Sequence, residues 1–147
     1  MQLSTKGRYA VRAMLDLALH AGEVPVSRAE IARRQGISAD YIAQLFRKLE
    51  QAGLVQGVKG PGGGYVLGHN PANIRIGDIV RVAEGPIALV DCVEAGGAAC
   101  ARAKQCAARQ LWQEVSQVVA QTLDDVTLKD LCGRQAHLAG DGHAAPS

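Results

Sequence analysis

No stretch of this chain approaches the roughly twenty consecutive apolar residues that span a bilayer. The first residues, MQLSTKGRYAV, lack the charged-then-apolar order of a secretory signal. Both absences predict a cytoplasmic protein with no membrane partner. Net charge is small as well: 16 Lys and Arg stand against 14 Asp and Glu, a formal +2. No nucleophile, base and orienting group can be assembled from segments expected to be ordered, which argues against an enzyme. The histidines do not help, because His20 falls at a helix end, His69 after a turn-rich segment, and His137 and His143 near the C-terminus. Nor are there the close Cys or Cys/His pairs of a zinc module.

What remains is informative. The chain has 147 residues, 48% of them hydrophobic, enough for one compact domain with an appended element or for a protomer completed by dimerisation. Its charge is uneven. Residues 1–81 carry eleven Lys or Arg against six Asp or Glu, whereas residues 82–147 carry five against eight. The front half is therefore the part expected to face a polyanion.

Periodicity predicts a helix from Thr5, as cap, to about His20, with Ala10, Ala13, Met14, Leu17, Ala18 and Ala21 on one face and Gly22 as its left-handed stop. Ser27 to Glu30 has the form of a capping box opening a short second helix that Gly36 closes. Ser38 then caps a third helix to about Ala52, with Ile42, Leu45, Phe46 and Leu49 inward and Gly53 ending it. That succession is a helix-turn-helix. Next, LVQGV and YVL flank KGPGGG, two short apolar runs around a Gly/Pro turn, which reads as a β-hairpin. A phosphate-binding loop would need a Lys-Ser/Thr pair at a helix start, and that pair is missing.

The fold class expected is mainly α with one small hairpin: a winged helix-turn-helix plus a long helix. Residues 1–85 form the DNA-binding domain, ending in a short helix with Ile76, Ile79, Val80 and Ala83 that Gly85 stops. Residues 86–106 form a cysteine loop. Residues 107–132 hold a long helix and a short terminal one capped by Thr127, and 133–147 a disordered tail. On the long helix Leu111, Val115, Val118, Val119 and Thr122 share a face at heptad-like spacing. A partner helix or the helix's own domain can cover such a face, and the spacing favours a homodimer seam.

In a helix-turn-helix the second helix enters the major groove. With the apolar stripe inward, the outward face carries Ser38, Ala39, Asp40, Ala43, Gln44, Arg47 and Lys48. Gln44 is the best base reader, since glutamine pairs bidentately with adenine, while Arg47 and Lys48 suit phosphates. Lys59 with Gly60 and Gly62 would bring a cation and exposed amides to the backbone or minor groove of an operator duplex.

LSTKGRYAVRAMLDLA, RRQGIS with YIAQLFRKLEQAGLV, the hairpin VKGPGGGYVL, three later cysteines, and Leu111-Trp112 with VTLKDL resemble the IscR/NsrR-type iron-sulfur regulators over residues 1–131. The resemblance implies a homodimeric winged-helix transcription factor, with Ser38, Tyr41, Gln44 and the wing at DNA and the long helix at the dimer interface. The chain departs from the family at Ala43, where the cluster-biogenesis branch has a glutamate, and at Lys59, where the wing has an arginine.

Cys92, Cys100 and Cys106 are separated by seven and then five residues. In a reducing cytosol such thiols are metal ligands, redox groups or buried hydrophobes rather than structural disulfides. The resemblance makes these three the ligands of an iron-sulfur cluster, 2Fe-2S in preference to 4Fe-4S. A complete site takes four ligands. The family's histidine position is Arg109 here and its N-terminal aspartate position is Arg8. Asp91, Glu94, Cys132, a partner side chain or a small exogenous ligand are the open choices, although Cys132, on an apolar helix, reads better as a buried thiol. The function expected is a repressor of iron-sulfur assembly or sulfur-metabolism genes. A nitric-oxide or redox sensor on the same scaffold is the near alternative, and an iron-sulfur or zinc interaction protein that does not bind DNA the distant one.

Overall fold

The structure, a computed structural model, describes residues 3–90 and 106–144. In chain order it contains α1 (Thr5–Leu19), α2 (Arg28–Gln35), α3 (Ala39–Gln51), β1 (Val55–Val58), β2 (Gly64–Leu67), a 3-10 turn (Pro71–Asn73), α4 (Ile76–Glu84), α5 (Ala107–Asp124) and α6 (Leu128–Ala144). The apolar stripes read from the sequence face inward. Ala10, Ala13, Met14 and Leu17 of α1, Ile31 of α2, Ile42, Leu45, Phe46 and Leu49 of α3, and Ile79 and Val80 of α4 are buried in one core. Each large aliphatic or aromatic side chain removed from water contributes about 1.5–3 kcal/mol, which is what holds these short helices together.

The turns show why the polar residues stand where they do. Ser27 Oγ accepts from the Glu30 N–H at 3.1 Å and Ser38 Oγ from the Tyr41 N–H at 3.2 Å, so both helices of the helix-turn-helix are capped by their serines. Gly36 joins them with φ +65°, a left-handed position that a side chain would strain. Gly53 and Gly85 also take positive φ, as expected, but Gly22 does not. The first helix instead stops at Leu19 with His20 at its C-cap. The His20 ring Nδ1 lies 2.9 Å from the Asp16 carbonyl, so a side chain does what glycine was expected to do.

The start of α1 differs as well. Ser4, not Thr5, is the N-cap residue, and its side chain makes no capping hydrogen bond. The Ser4 N–H donates to Glu84 Oε1 of α4 at 2.7 Å. A Cβ at Gly7 would collide with the Glu84 carboxylate, so Gly7 is what lets the acid reach the helix terminus.

Strands β1 and β2 pair antiparallel with Val55 opposite Leu67 and Val58 opposite Gly64. Val26, just before α2, adds an isolated bridge to Tyr65, with Val26 N–H to Tyr65 O at 3.0 Å and the return bond at 2.8 Å. This bridge ties the wing to the helix-turn-helix. It also explains Gly64, whose Cβ would strike the Val26 carbonyl. The Tyr65 ring meets Phe46 edge-on at 4.6 Å, so the wing is packed onto the back of α3.

The C-terminal end is longer than the sequence reading. α6 is opened by a reciprocal cap, with the Asp130 N–H donating to Thr127 Oγ1 at 3.1 Å and the Thr127 N–H to Asp130 Oδ2 at 3.0 Å. It continues to Ala144, past the expected stop at Leu131 and through most of the segment read as a disordered tail. Once nucleated by that cap, the helix is carried by Gln135, Ala136, Leu138 and Ala139, good helix formers that offset Gly133 and Gly140.

Candidate nucleic-acid interface and cysteine segment

The placement of α3 rests on a buried carboxylate. Asp16, only 1% exposed on α1, accepts from Arg34 Nη2 at 2.8 Å, from Arg34 Nε at 3.0 Å and from Gln35 Nε2 at 2.9 Å. Burial alone would raise this carboxyl. The hydrogen bonds from Arg34 and Gln35, with the charges of Arg34 and His20, outweigh it and hold Asp16 below the ordinary aspartate value. Arg12, one turn earlier on α1, donates to the Gln35 side-chain oxygen at 3.2 Å and to the Gln35 carbonyl, and lies 5.3 Å over the Tyr9 ring. Tyr9 in turn meets Tyr41 edge-on at 5.9 Å. The end of α2 and the first turn of α3 are thus both anchored to α1. Sequence reading missed this clamp, and its signal was weak: an aspartate inside an otherwise apolar helical face.

On that support, Asp40, Gln44, Arg47 and Lys48 are exposed on α3 and Tyr41 is half-buried. Ser38 is exposed, with its hydroxyl in the cap. Lys59, Gly60 and Gly62 are exposed in the turn between β1 and β2, and Gly60 and Gly62 take φ of +95° and +75°, which explains the glycines of that turn. Lys59 and Gly60 share a groove with Arg28 at the start of α2 and with Glu50 near the end of α3. Lys48 lines a second groove with Lys6, Arg81 and Glu84. Each groove thus joins cations to one end of α3, Lys59 and Arg28 beside Glu50 in one and Lys6 and Arg81 beside Lys48 in the other. Arg28 and Lys6 were not singled out from the sequence, because membership in these grooves is set by packing between elements distant in the chain.

The cysteine segment is represented by one residue. Cys106 is the half-buried N-cap of α5, while Cys92 and Cys100, like Asp91 and Glu94, lie outside the described residues. The positive end of the α5 dipole at Cys106 favours negative charge there, and a set of soft thiolates suits iron-sulfur ligation. Cys132 is half-buried on α6 and burial pushes its thiol up, as for an inert core cysteine.

Past Cys106, α5 is anchored firmly at its far end. Arg81 of α4 grips Asp124 with two bonds of 2.8 Å, and this pairing holds the Asp124 carboxyl below its ordinary value. Midway, buried Ser116 accepts from the Leu89 N–H at 2.9 Å. The face read as a dimer seam is largely bare: Leu111, Val115 and Val118 are 49, 36 and 65% exposed, and Trp112, next to Leu111, is 40% exposed. Val119 is half-buried and Thr122 exposed.

The described residues contain no helix long and apolar enough to cross a membrane. Comparison with known proteins agrees with the DNA-reading architecture. The chain is 44% identical over 131 residues to the HTH-type transcriptional regulator IscR of Vibrio atlanticus, covering 89% of this chain and 75% of that one. Its fold matches CymR, the global cysteine regulator of B. subtilis, with a TM-score of 0.75 at 42% identity over 91% of this chain and 98% of the other. It matches IscR of T. potens with a TM-score of 0.75 at 39% identity, over 92% of this chain and 88% of the other. The chain is a DNA-binding transcriptional regulator with a winged-helix fold. With the family model matched from residue 3 to residue 134, it belongs to the Rrf2 family of iron-dependent transcriptional regulators.

Proposed function

We propose that the chain acts in the cytoplasm as a homodimeric repressor whose grip on its operator depends on an iron-sulfur cluster held by Cys92, Cys100 and Cys106. The observation that carries the reading is a joint one: an exposed polar face with Gln44, Arg47 and Lys48 on α3 stands on the same protomer as a cysteine-capped helix whose apolar residues Leu111, Val115 and Val118 are exposed. Ser38, Asp40, Tyr41 and Gln44 are presented to the major groove, with Gln44 reading a base edge. Arg47, Lys48 and Lys59, with the amides of Gly60 and Gly62, bind phosphates and set the register. The bare face of α5 is the dimer seam, and a symmetric dimer matches a palindromic operator.

The cluster, 2Fe-2S in preference to 4Fe-4S, supplies a centre whose presence follows iron and oxidant. The three thiolates would hold it at the start of α5, with the fourth ligand from outside this trio. Regulation is then linkage: cluster gain or loss shifts operator occupancy by the difference in affinity between loaded and cluster-free dimer, and by no more. The test is the absorption spectrum, iron content and sulfide content of protein purified without oxygen, alongside a gel shift on its own promoter DNA. Visible bands with stoichiometric iron and sulfide, and a specific salt-sensitive shift, support the reading. A colourless zinc protein, or one without specific DNA binding, overturns it.

A further inference from the structure

Beside the anchored end of α5 lies an open cavity of about 520 Å³ between α1, α4, α5 and α6. Val11, Val80, Leu123, Val126 and Leu131 make it strongly apolar, and Arg8, Arg12 and Arg134 stand around it with no carboxylate among the lining residues. Thr122, also in its wall, follows Val115 and Val118 by seven and four residues, so the bare stripe of α5 runs directly into the cavity. An apolar hollow continuous with an uncovered apolar stripe needs an occupant.

We propose that Trp112 of the partner subunit fills this cavity, and that each cavity of the dimer is completed by the other chain's indole. The inference rests on the dimer reading above and deepens it. Trp112 cannot fill the cavity of its own chain, because ten residues of helix, about 15 Å, separate it from Thr122. Two-fold symmetry supplies the alternative. In an isologous contact residue i meets residue j and j meets i, so two antiparallel copies of α5 crossing near Gln117 set Trp112 of the partner subunit opposite Thr122 and Leu123.

Charge agrees with this seating. A tryptophan face attracts guanidinium groups, which Arg8 and Arg134 provide. Because Arg12 in the same wall is bonded to Gln35, the indole would seat against the support of the recognition helix.

Trp112 is the single tryptophan of the chain, so its fluorescence reports its own surroundings. The experiment follows emission wavelength and acrylamide quenching of the full chain through a dilution series, with sedimentation giving the oligomeric state at each point. The expected result is a blue-shifted, shielded tryptophan in the dimer that becomes red-shifted and quenchable as the dimer dissociates. Trp112→Ala should raise the dimer Kd by about thirtyfold or more, as loss of a buried aromatic anchor does. Val11→Phe, which fills the hollow while keeping it apolar, should expose Trp112 in any dimer that remains, with circular dichroism unchanged. An intact dimer whose tryptophan is as quenchable as the monomer's, or whose Kd ignores Trp112→Ala, overturns the seating and leaves the dimer standing. A chain that is monomeric at every concentration overturns the dimer reading, and this proposal with it.

Discussion

Asp16 shows how one side chain can govern a surface it never touches. Its carboxylate is bonded by Arg34 and Gln35 at the end of α2, so replacing it strands donors rather than merely deleting a contact. Asp16→Asn should cost about 1–3 kcal/mol of stability at neutral pH, measured by urea unfolding. The pH dependence follows from the direction of the shift. A carboxyl held below its ordinary value of 3.8 in the folded chain stabilises fully above that value and loses its contribution as pH falls through the folded value. The unfolding curves of wild type and Asp16→Asn should therefore differ at pH 7 and converge in acid. A constant gap at all pH values would mean that Asp16 acts through shape alone.

At the same scale, Gln44 and Lys59 should separate reading from gripping. Gln44→Ala is expected to weaken specific binding by about 1–3 kcal/mol and relax preference at one base pair. Lys59→Ala should weaken all sequences alike and flatten the salt slope. Fluorescence anisotropy on operator and scrambled duplexes at several salt concentrations distinguishes the two. If Gln44→Ala changes neither affinity nor preference, α3 meets DNA in another register.

Among the elements, α5 is the one whose fate the protomer leaves open. Valines at positions 115 and 118 face solvent beside Trp112, an arrangement expected of a surface that a second chain covers. Val115→Asp with Val119→Asp should yield monomers in sedimentation, since each buries an unpaired charge in the seam, and should abolish cooperative operator binding. A dimer surviving both changes would move the interface elsewhere.

The helices of the front half were legible in the sequence because their signals are local: Ser27 and Ser38 as caps, Gly36 between them, and the Ile42, Leu45, Phe46 and Leu49 stripe. The misses are long-range. Glu84 reaches Ser4 across 80 residues, and Arg34 reaches Asp16 across 18, pairings that no local pattern announces. The extension of α6 was missed because glycines at 133 and 140 read as breakers, although a reciprocal cap can start a helix that tolerates them. Of the candidate site, the α3 face and wing were readable by spacing, whereas Arg28 and Lys6 joined it only through the fold.

For the whole molecule the proposed function separates generic from conditional affinity. On the proposed reading, the cations of α3 and the wing belong to the winged helix itself and would give salt-dependent attraction to any duplex without a cofactor. Cys92, Cys100 and Cys106 precede or start the helix of the proposed dimer seam, so a cluster held there would bias how two reading heads are set without belonging to either. On this account Cys132→Ala leaves cluster and regulation intact, because that thiol is packed on α6 with its proton held by burial.

The most direct measurement is operator affinity under anaerobic conditions for the cluster-loaded protein, the cluster-free protein and the Cys92→Ala, Cys100→Ala, Cys106→Ala triple variant, each with its absorption spectrum and salt dependence. The account predicts that the loaded dimer differs from the other two by about 5- to 150-fold on operator DNA, the span of ordinary allosteric coupling. All three should bind non-specific DNA alike with the same salt slope. Equal operator affinities with and without the cluster, or a triple variant that keeps the chromophore, would contradict it.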